Sequence, residues 1–324
     1  MVSFKAMYKI KQIPEDFVVN EVSSVTYSKG EYGYFLLKKR NYSTQTAVER
    51  IADFLNIPLK FIGYAGNKDR QGVTTQMISI KGPFERAKKF KAKDLELEFK
   101  GNGNQPISLG DLEGNKFEII VRNITKAPKK IKKFINYFDE QRFSKNNAAI
   151  GKALVKKDFK KAIELLTESS GDYERDVENH YNTTHDAIGS IRRIPKKIIN
   201  LYIHAYQSEI WNQAAEKLSK IVKKNVELPL VGFGTEIKDE KIKKVIEAIM
   251  KQEGIGYRDF IIRSMPEISS EGNSRKLYAE VKKLTIGELE DDELNNKMKK
   301  VKISFFLYKG CYATMAIKNM FKER

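Results

Sequence analysis

The chain has 324 residues, which suggests two domains of about 150 residues each, and its 60 Lys and Arg exceed its 42 Asp and Glu, for a net charge of +18 at pH 7. The 41% apolar content argues against a disordered chain, and the single cysteine, Cys311, excludes an internal disulfide and a multi-cysteine metal site. Because no apolar run reaches about 18 residues and the first residues lack the apolar segment of a signal peptide, we expect a cytoplasmic protein without a membrane span.

The first third of the chain alternates predicted strands with one amphipathic helix. Phe17–Val22 and Tyr32–Lys38 are rich in β-branched and aromatic side chains, as strands are. Thr46 and Glu49 fit a capping box, and apolar residues then repeat at helical spacing until Pro58 ends the helix. Further strands are predicted at Met77–Ile80, Leu95–Phe99 and Lys116–Val121. This mixture indicates an α+β fold rather than a doubly wound sheet.

The middle of the chain is predicted to be helical, and its end returns to strand. Helical periodicity covers Lys152–Leu166, Ile198–Val222 and Lys238–Lys251. A strand at Val301–Leu307 and a short helix from Ala313 close the chain. Ends rich in strands around a helical middle favour a helical domain inserted into a sheet domain. We place the sheet domain at residues 1–155 and 277–324, and the inserted domain at residues 156–276.

The positive charge is concentrated in the stretch Lys126–Lys161, which has twelve Lys and Arg against three Asp and Glu, a local net charge of +9. Aromatic residues interleave with these cations at Phe134, Tyr137, Phe138, Phe143 and Phe159. Cations that hold phosphates beside aromatic rings that stack on bases are typical of RNA recognition. A solvated lysine-rich surface has the same composition, so charge alone leaves both interpretations open.

Sequence motifs of the common nucleotide and metal sites are absent. The chain has no G-x-x-x-x-G-K-[ST] phosphate loop, no G-x-G-x-x-G after a predicted strand and no G-x-S-x-G nucleophile turn. Its three histidines, His180, His185 and His204, have neither metal-ligand spacing nor partner cysteines. These absences agree with a reaction that uses no cofactor and no metal ion.

One segment, Gly63–Gln76, combines small residues with charge between the predicted helix and a strand. Within it, Asp69 lies between Lys68 and Arg70, and flanking cations favour the ionised form of a carboxyl group. Such an aspartate can act as a nucleophile, as a base or as a structural ion-pair partner, and the commonest interpretation of the pattern is a solvated turn.

Five short blocks occur in an order that identifies a family. They are Pro14-Glu15-Asp16-Phe17 with Glu21; Ala65-Gly66-Asn67-Lys68-Asp69-Arg70 with Val73-Thr74 and Gln76; Asn136-Tyr137-Phe138 with Gln141-Arg142-Phe143; Ala205-Tyr206-Gln207-Ser208 with Trp211-Asn212; and Gly310 with Tyr312-Ala313-Thr314-Met315. Together they resemble the TruD family of tRNA pseudouridine synthases. The resemblance implies a catalytic domain with a mixed, mostly antiparallel sheet, interrupted by a mainly helical TRUD domain.

The resemblance also implies roles for individual residues. Asp69 matches the catalytic aspartate of the family, as a nucleophile toward sugar or base or as a base, and Lys11 matches a basic residue that pairs with it. Phe138 matches the aromatic residue that stacks on the target base, Asn136 a hydrogen-bonding residue of the pocket, and Phe17 a second aromatic lining residue. Cations near these blocks are assigned to RNA contact: Lys68, Arg70, Arg142 and Lys145.

The predicted function is isomerisation of a D-arm uridine in tRNA, at position thirteen in typical members, to pseudouridine. The expected partner is tRNA, the expected state a monomer, and no membrane, metal ion or small-molecule cofactor is involved. The alternative is a catalytically silent tRNA-binding or RNA-chaperone protein of the same fold. An RNA methyltransferase is a more distant alternative, since the Gly-rich turn that holds a methyl donor is missing.

Overall fold

The computed structural model describes residues 8–169 and 171–322, apart from the side chains of residues 144 and 145. The chain divides into two compact units. Unit 1 comprises the chain up to Phe134 and again from Glu280, and unit 2 is Ile135–Ala279. Unit 2 thus begins before the boundary drawn from the sequence at residue 156. The reason is that the helix containing Gly151 packs closely within unit 2, where a Cβ added at Gly151 would lie 2.0 Å from the carbonyl oxygen of Tyr202.

The elements follow one another in chain order. The first part contains β1 (Phe17–Ser23), β2 (Tyr32–Arg40), α1 (Thr44–Leu55), β3 (Ile62–Tyr64), β4 (Val73–Lys81), α2 (Phe84–Ala87), β5 (Leu95–Gly103), β6 (Leu112–Ile124) and β7 (Lys133–Ile135). The middle contains α3 (Asn147–Val155), α4 (Phe159–Thr167), α5 (Asp172–Thr184), α6 (Ala187–Ile191), α7 (Lys196–Ser219), β8 (Glu227–Leu230), α8 (Glu240–Glu253) and β9 (Asn273–Lys276). The last part contains β10 (Tyr278–Glu280), β11 (Lys282–Ile286), β12 (Glu290–Asp291), β13 (Lys299–Tyr308) and α9 (Ala313–Phe321). Short 3-10 helices lie at Pro14–Asp16, Leu59–Phe61, Glu140–Asn146, Tyr257–Phe260 and Pro266–Ile268.

Nine of the described strands form one sheet in unit 1. Its central order is β11-β13-β6-β1-β4-β2-β5, with β12 paired to β13 and β3 paired to β4. Strands β1 and β4 run parallel, and the other pairs are antiparallel. The prediction of an α+β fold with a mixed, mostly antiparallel sheet is confirmed.

Helix α1 covers one face of this sheet because its apolar residues recur at helical spacing. Val48 and Ile51 are completely buried and pack with Phe35, Leu37 and Ile78 of the strands. The capping box predicted at Thr46 and Glu49 is wrong. Ser43 is the N-cap residue, and its hydroxyl accepts a hydrogen bond from the Thr46 amide.

The single helix predicted over Lys152–Leu166 is two helices. Helix α3 ends at Val155, and Lys157 takes the left-handed conformation with φ of 59°. Asp158 then caps α4 by accepting a hydrogen bond from the Lys161 amide. Local capping therefore overrides a continuous apolar periodicity.

A buried ionic network ties distant parts of unit 1 together. The Arg122 guanidinium, on β6, donates to both Asp16 carboxylate oxygens at 2.8 and 3.0 Å and to Asp292 at 2.9 Å. All three side chains are buried. The other Asp292 oxygen accepts from the Asn123 amide at 2.9 Å. This network fixes the segment before β1 against β6 and the chain after β12.

Unit 2 is built around α7, which is buried along most of its length. Tyr206, Ser208 and Trp211 are completely buried, and the Trp211 indole donates to the Leu228 carbonyl oxygen at 3.1 Å. Ser208 and Trp211 therefore lie in the packed interior of unit 2. Within the described ranges, no helix has the length and apolar character needed to cross a bilayer.

Candidate active site

Asp69 lies in the loop that joins β3 to β4. Its carboxylate is 44% exposed, and one oxygen lies 3.3 Å from the ammonium nitrogen of Lys11. The Lys11 side chain is only 12% exposed. The structure therefore brings together the predicted catalytic aspartate and its predicted ion-pair partner, with the carboxylate open to solvent and the cation largely enclosed.

Lys11 is held by its backbone and by an aromatic ring. Its φ is 59°, a left-handed conformation that is uncommon for a residue other than glycine. Its ammonium lies 4.1 Å from the ring centre of Phe17, the first residue of β1, which is 1% exposed. A cation over an aromatic face is attracted by the ring's quadrupole. The buried Phe17 ring therefore packs against the Lys11 ammonium and helps to hold it in place.

The main chain of the loop is fixed by hydrogen bonds from α1 and β4. The Thr44 hydroxyl, at the start of α1, accepts from the Lys68 amide at 2.9 Å and donates to the side-chain oxygen of Gln76 at 2.9 Å. The Gln76 amide group donates in turn to the Gly66 carbonyl oxygen at 3.0 Å. Thr44 and Gln76 are both buried, and the hydrogen bond between their side chains is shielded from water.

Lys39, on β2, contacts the same loop from the sheet. Its side chain is completely buried, and its ammonium donates to the carbonyl oxygens of Tyr42 at 2.6 Å, Asp69 at 2.7 Å and Lys68 at 3.4 Å. Burial lowers the pKa of Lys39 to about 8; the Asp69 charge opposes this shift and the Lys68 charge adds to it.

Lys68 was predicted to contact RNA, and its placement does not fit that role. Its side chain is 7% exposed, and its ammonium forms a short hydrogen bond with the completely buried carboxylate of Glu21 on β1. The second Glu21 oxygen accepts from the Met77 amide at 3.1 Å. Lys68 therefore anchors the loop to the sheet, whereas Arg70, two residues later, is exposed.

Phe138 lies in unit 2 within a cluster of aromatic and cationic side chains. Asn212 on α7 accepts from the Phe138 amide at 2.9 Å and donates to the Phe138 carbonyl oxygen at 3.1 Å. The Trp211 ring meets the Phe138 ring edge-on at 5.6 Å, and the Arg275 guanidinium lies 4.1 Å from the Phe138 ring centre. With these neighbours the Phe138 side chain is 8% exposed.

Arg275 links Phe138 to Asn136. Its guanidinium donates to the Asn136 carbonyl oxygen at 2.8 Å and to the Asn136 side-chain oxygen at 2.7 Å. Asn136 is buried, and its own amide group donates to the Lys276 carbonyl oxygen at 3.3 Å. The side chain of Asn136 is therefore oriented by Arg275, a residue that the sequence analysis missed.

Arg142 is engaged within unit 2. Its guanidinium donates to the Ser208 hydroxyl at 3.0 Å and lies 5.4 Å from the Phe138 ring centre. The Lys145 side chain falls outside the described part of the chain, so its predicted RNA contact has no structural counterpart here. In the ranges 8–169 and 171–322, no three His, Cys, Asp or Glu side chains are grouped as a metal ion would require.

A sequence model of the family tRNA pseudouridine synthase D (TruD) matches residues 5–172, 166–227 and 213–320. This chain belongs to the TruD family. Membership confirms the predicted enzyme class, since TruD proteins are tRNA pseudouridine synthases and thus isomerases.

Individual relatives of this TruD chain match it over nearly its full length. The tRNA pseudouridine synthase D of Aquifex aeolicus is 28% identical over 97% of this chain and 98% of its own. A Nanoarchaeum equitans protein named probable tRNA pseudouridine synthase D is 31% identical over 97% and 99% of the two chains. A crystal structure described as a TruD of Methanosarcina mazei superposes with a TM-score of 0.76 at 26% identity, covering 98% and 94% of the two chains. The fold is therefore a TruD fold.

Two residues of this TruD chain that contact the predicted site residues escaped the sequence analysis. For Lys39 a signal was present, because strand alternation places it on the same buried face as Phe35 and Leu37, where a charge is unexpected. For Arg275 no pattern in the sequence distinguishes it from other cations near a turn.

Proposed function

We propose that this enzyme isomerises a D-arm uridine of tRNA, at position thirteen, to pseudouridine, with the Asp69 carboxylate as the nucleophile. The observation that carries the proposal is the arrangement at the β3–β4 loop. An open carboxylate lies 3.3 Å from an enclosed ammonium, on a main chain held by hydrogen bonds from the buried side chains of Thr44 and Lys39. A fixed and solvent-accessible carboxylate is suited to attack a substrate. A carboxylate in an ordinary solvated turn does not need a main chain held by so many hydrogen bonds.

The reaction is balanced without a co-reactant. The bond between N1 of uracil and C1′ of ribose breaks, the base turns, and C5 becomes bonded to C1′. The C5 proton is lost and N1 gains one. Asp69 acts toward the sugar or the base, and the Lys11 ammonium stabilises its negative charge before attack. We therefore expect activity without an added metal ion or cofactor.

For the target base, we propose Phe138 as the stacking partner and Asn136 as a hydrogen-bonding residue. Stacking of a flipped base on an aromatic ring contributes about 1–3 kcal/mol. With 8% of Phe138 exposed, a neighbouring side chain has to move before a base can cover the ring. The neighbours at the ring are the Arg275 guanidinium, 4.1 Å from the ring centre, the Arg142 guanidinium at 5.4 Å and the Trp211 ring at 5.6 Å.

The test is pseudouridine mapping on unmodified tRNA transcripts by carbodiimide modification and primer extension. Wild type, Asp69→Asn and Asp53→Asn are compared, with tRNA binding measured in parallel. Asp53 is an exposed aspartate on α1 and serves as a matched control. We expect a D-arm stop with wild type and Asp53→Asn, and none with Asp69→Asn although it still binds tRNA.

Two results would overturn the proposal in different ways. Product from Asp69→Asn at the wild-type rate would mean that the nucleophile lies elsewhere. Tight, salt-sensitive tRNA binding by wild type without any D-arm product would favour the binding-only alternative for this substrate.

A further inference from the structure

Lys39 is a buried cation whose hydrogen bonds all go to main-chain oxygens. The ammonium of this completely buried residue donates to the carbonyl oxygens of Tyr42, Lys68 and Asp69. Removing an ammonium group from water is costly unless it is fully hydrogen-bonded. An apolar side chain would fill this position on β2 without that cost, as Leu37 does two residues earlier on the same face. Packing alone therefore does not explain why a charged residue, Lys39, occupies this buried position.

Two of the three acceptors bracket the Cα atom of the proposed nucleophile. The Lys68 carbonyl belongs to the peptide group before Asp69, and the Asp69 carbonyl belongs to the peptide group after it. When both peptide groups are held, the two backbone dihedrals between them are held as well, and with them the direction of the bond from Cα to Cβ. The third acceptor, Tyr42, immediately precedes Ser43, the N-cap residue of α1, so the same ammonium also ties the loop to the start of that helix.

The remaining loop contacts do not replace this one. Thr44 holds the Lys68 amide and Gln76 holds the Gly66 carbonyl oxygen, so both act on the N-terminal side of Asp69. The Lys68 side chain binds Glu21 and leaves its own carbonyl oxygen to Lys39. Of these four contacts, only the one from Lys39 reaches the peptide group on the C-terminal side of Asp69.

We propose that Lys39 is a positioning residue for the reaction, which holds both peptide groups of Asp69 and so aims its carboxylate. This inference rests on the proposed function of Asp69. Lys39 does not touch the carboxylate or the substrate; it acts through the main chain. A displacement of about 1 Å at a reacting group can lower a rate about 100-fold. Loss of Lys39 should therefore reduce the rate of the chemical step more than the affinity for tRNA.

The test compares Lys39→Met with Lys38→Met in the full-length protein. Lys38 is the neighbouring lysine on the opposite face of β2, half exposed and paired with Glu96 at 3.3 Å. Three quantities are measured: the single-turnover isomerisation rate, the tRNA dissociation constant, and hydrogen–deuterium exchange of the loop amides 67–72 in the free protein. Lys39→Gln, which keeps a shorter neutral donor, provides a second variant if the methionine variant does not fold.

We expect Lys39→Met to lower the single-turnover rate about 100-fold, to change the dissociation constant less than about threefold, and to accelerate exchange of the loop amides. Lys38→Met should match wild type in all three. A Lys39 variant that folds, keeps wild-type loop exchange and isomerises within about threefold of wild type would overturn the positioning role. If wild type itself forms no pseudouridine, the proposed function fails, and exchange of the loop still reports whether Lys39 holds it.

Discussion

Lys11 differs from an ordinary surface lysine in its enclosure and in its backbone. It is 12% exposed, its ammonium lies over the Phe17 ring and 3.3 Å from Asp69, and its φ is 59°. An exposed ion pair contributes little because water screens it. An enclosed cation is screened less, so it can stabilise the charge of an open carboxylate before attack and fix its orientation. Lys11 is therefore an enclosed partner of the Asp69 carboxylate and not a freely solvated surface lysine.

Replacement of Lys11 by methionine should lower the isomerisation rate strongly while tRNA binding changes little. The volume over Phe17 is kept, but the ammonium that neutralises Asp69 is lost. Loss of the ion pair lets the carboxylate shift, and a displacement of about 1 Å at a reacting group can lower a rate about 100-fold. Single-turnover assays beside Lys60→Met, a change at an exposed lysine, would check this. A Lys11→Met protein with wild-type kcat would show that the ion pair is dispensable.

At Phe138, leucine and tyrosine should behave differently. Phe138→Leu removes the ring, so the loss of about 1–3 kcal/mol of stacking should lower kcat/KM by about 5- to 150-fold. Phe138→Tyr keeps the ring and should keep most of the activity. Circular dichroism and thermal unfolding of both variants separate this effect from loss of packing against Trp211. Equal kcat/KM for all three proteins would contradict base stacking at this position.

The charged residues of the site show how far sequence reasoning reaches. Asp69 was singled out because it lies in a short block that the family shares, and Lys11 because it lies just before another such block. Lys68 stands in the same block, yet a sequence cannot tell whether a cation points to solvent or to a buried partner such as Glu21. Lys39 was missed although strand alternation places it on the buried face of β2, because its acceptors are main-chain oxygens, which the residue pattern does not show.

At the scale of elements, the loop that carries Asp69 is supported by β2, by α1 and by β4 together. Strand positions followed from alternation and β-branched residues, because half-buried strands have a strict period of two. Helix boundaries were less predictable. The start of α1 and the break between α3 and α4 depend on single caps, Ser43 and Asp158. Helix α5 escaped prediction because its sequence is largely polar, with Val177 as its buried residue.

The corrected start of α1 can be tested with two alanine substitutions. Ser43→Ala removes the hydroxyl that accepts from the Thr46 amide, and loss of an N-cap typically costs about 1 kcal/mol of unfolding free energy. Thr46→Ala keeps the hydrogen bond from the residue 46 amide to Ser43, so it should lower the unfolding free energy clearly less than Ser43→Ala does. Urea denaturation of the two variants measures the difference. A larger loss of unfolding free energy for Thr46→Ala than for Ser43→Ala would show that Thr46 is the N-cap residue.

At the scale of the whole molecule, the network of Arg122, Asp16 and Asp292 makes the unfolding free energy depend on pH. Burial by itself would raise the pKa of Asp292, but hydrogen bonds from the Asn123 amide, Asn295, the Leu294 amide and Arg122 lower it to about 2, against 3.8 for the free side chain. A carboxyl group with a lowered pKa stabilises the folded state above its unfolded pKa and loses that contribution as the pH falls through its folded value.

Unfolding free energy should therefore decline as the pH is lowered from about 4 to about 2, with Asp292 as one source of the decline. Asp292→Asn should lower stability at pH 7 and make the decline shallower. Asp291→Asn is the matched control, because the neighbouring carboxylate is 94% exposed and pairs with Lys299 at the surface. Urea titrations at pH 7, 4 and 3 measure all three proteins. An unchanged slope in Asp292→Asn would exclude this carboxylate as the source.

The net charge of +18 predicts salt-sensitive tRNA binding. Each phosphate contact that is lost reduces the slope of log affinity against log salt by about one. Arg70→Ala should therefore reduce the slope by about one, because its side chain is exposed beside Asp69. Lys68→Met, which removes a cation already paired with Glu21, should leave the slope unchanged. Filter binding between low and moderate salt checks both, and a reversed pattern would reassign the phosphate contact to Lys68.

The order of strands in unit 1 has a consequence for synthesis on the ribosome. In the finished sheet β6 lies between β1 and β13, but all of unit 2 is encoded between β6 and β13. Until β13 emerges, the nascent chain carries β6, a strand of 13 residues, with one edge unpaired. An open strand edge is a template for pairing with other chains. We therefore expect a polypeptide truncated before residue 299 to aggregate through the open edge of β6, even though it already contains the loop that carries Asp69.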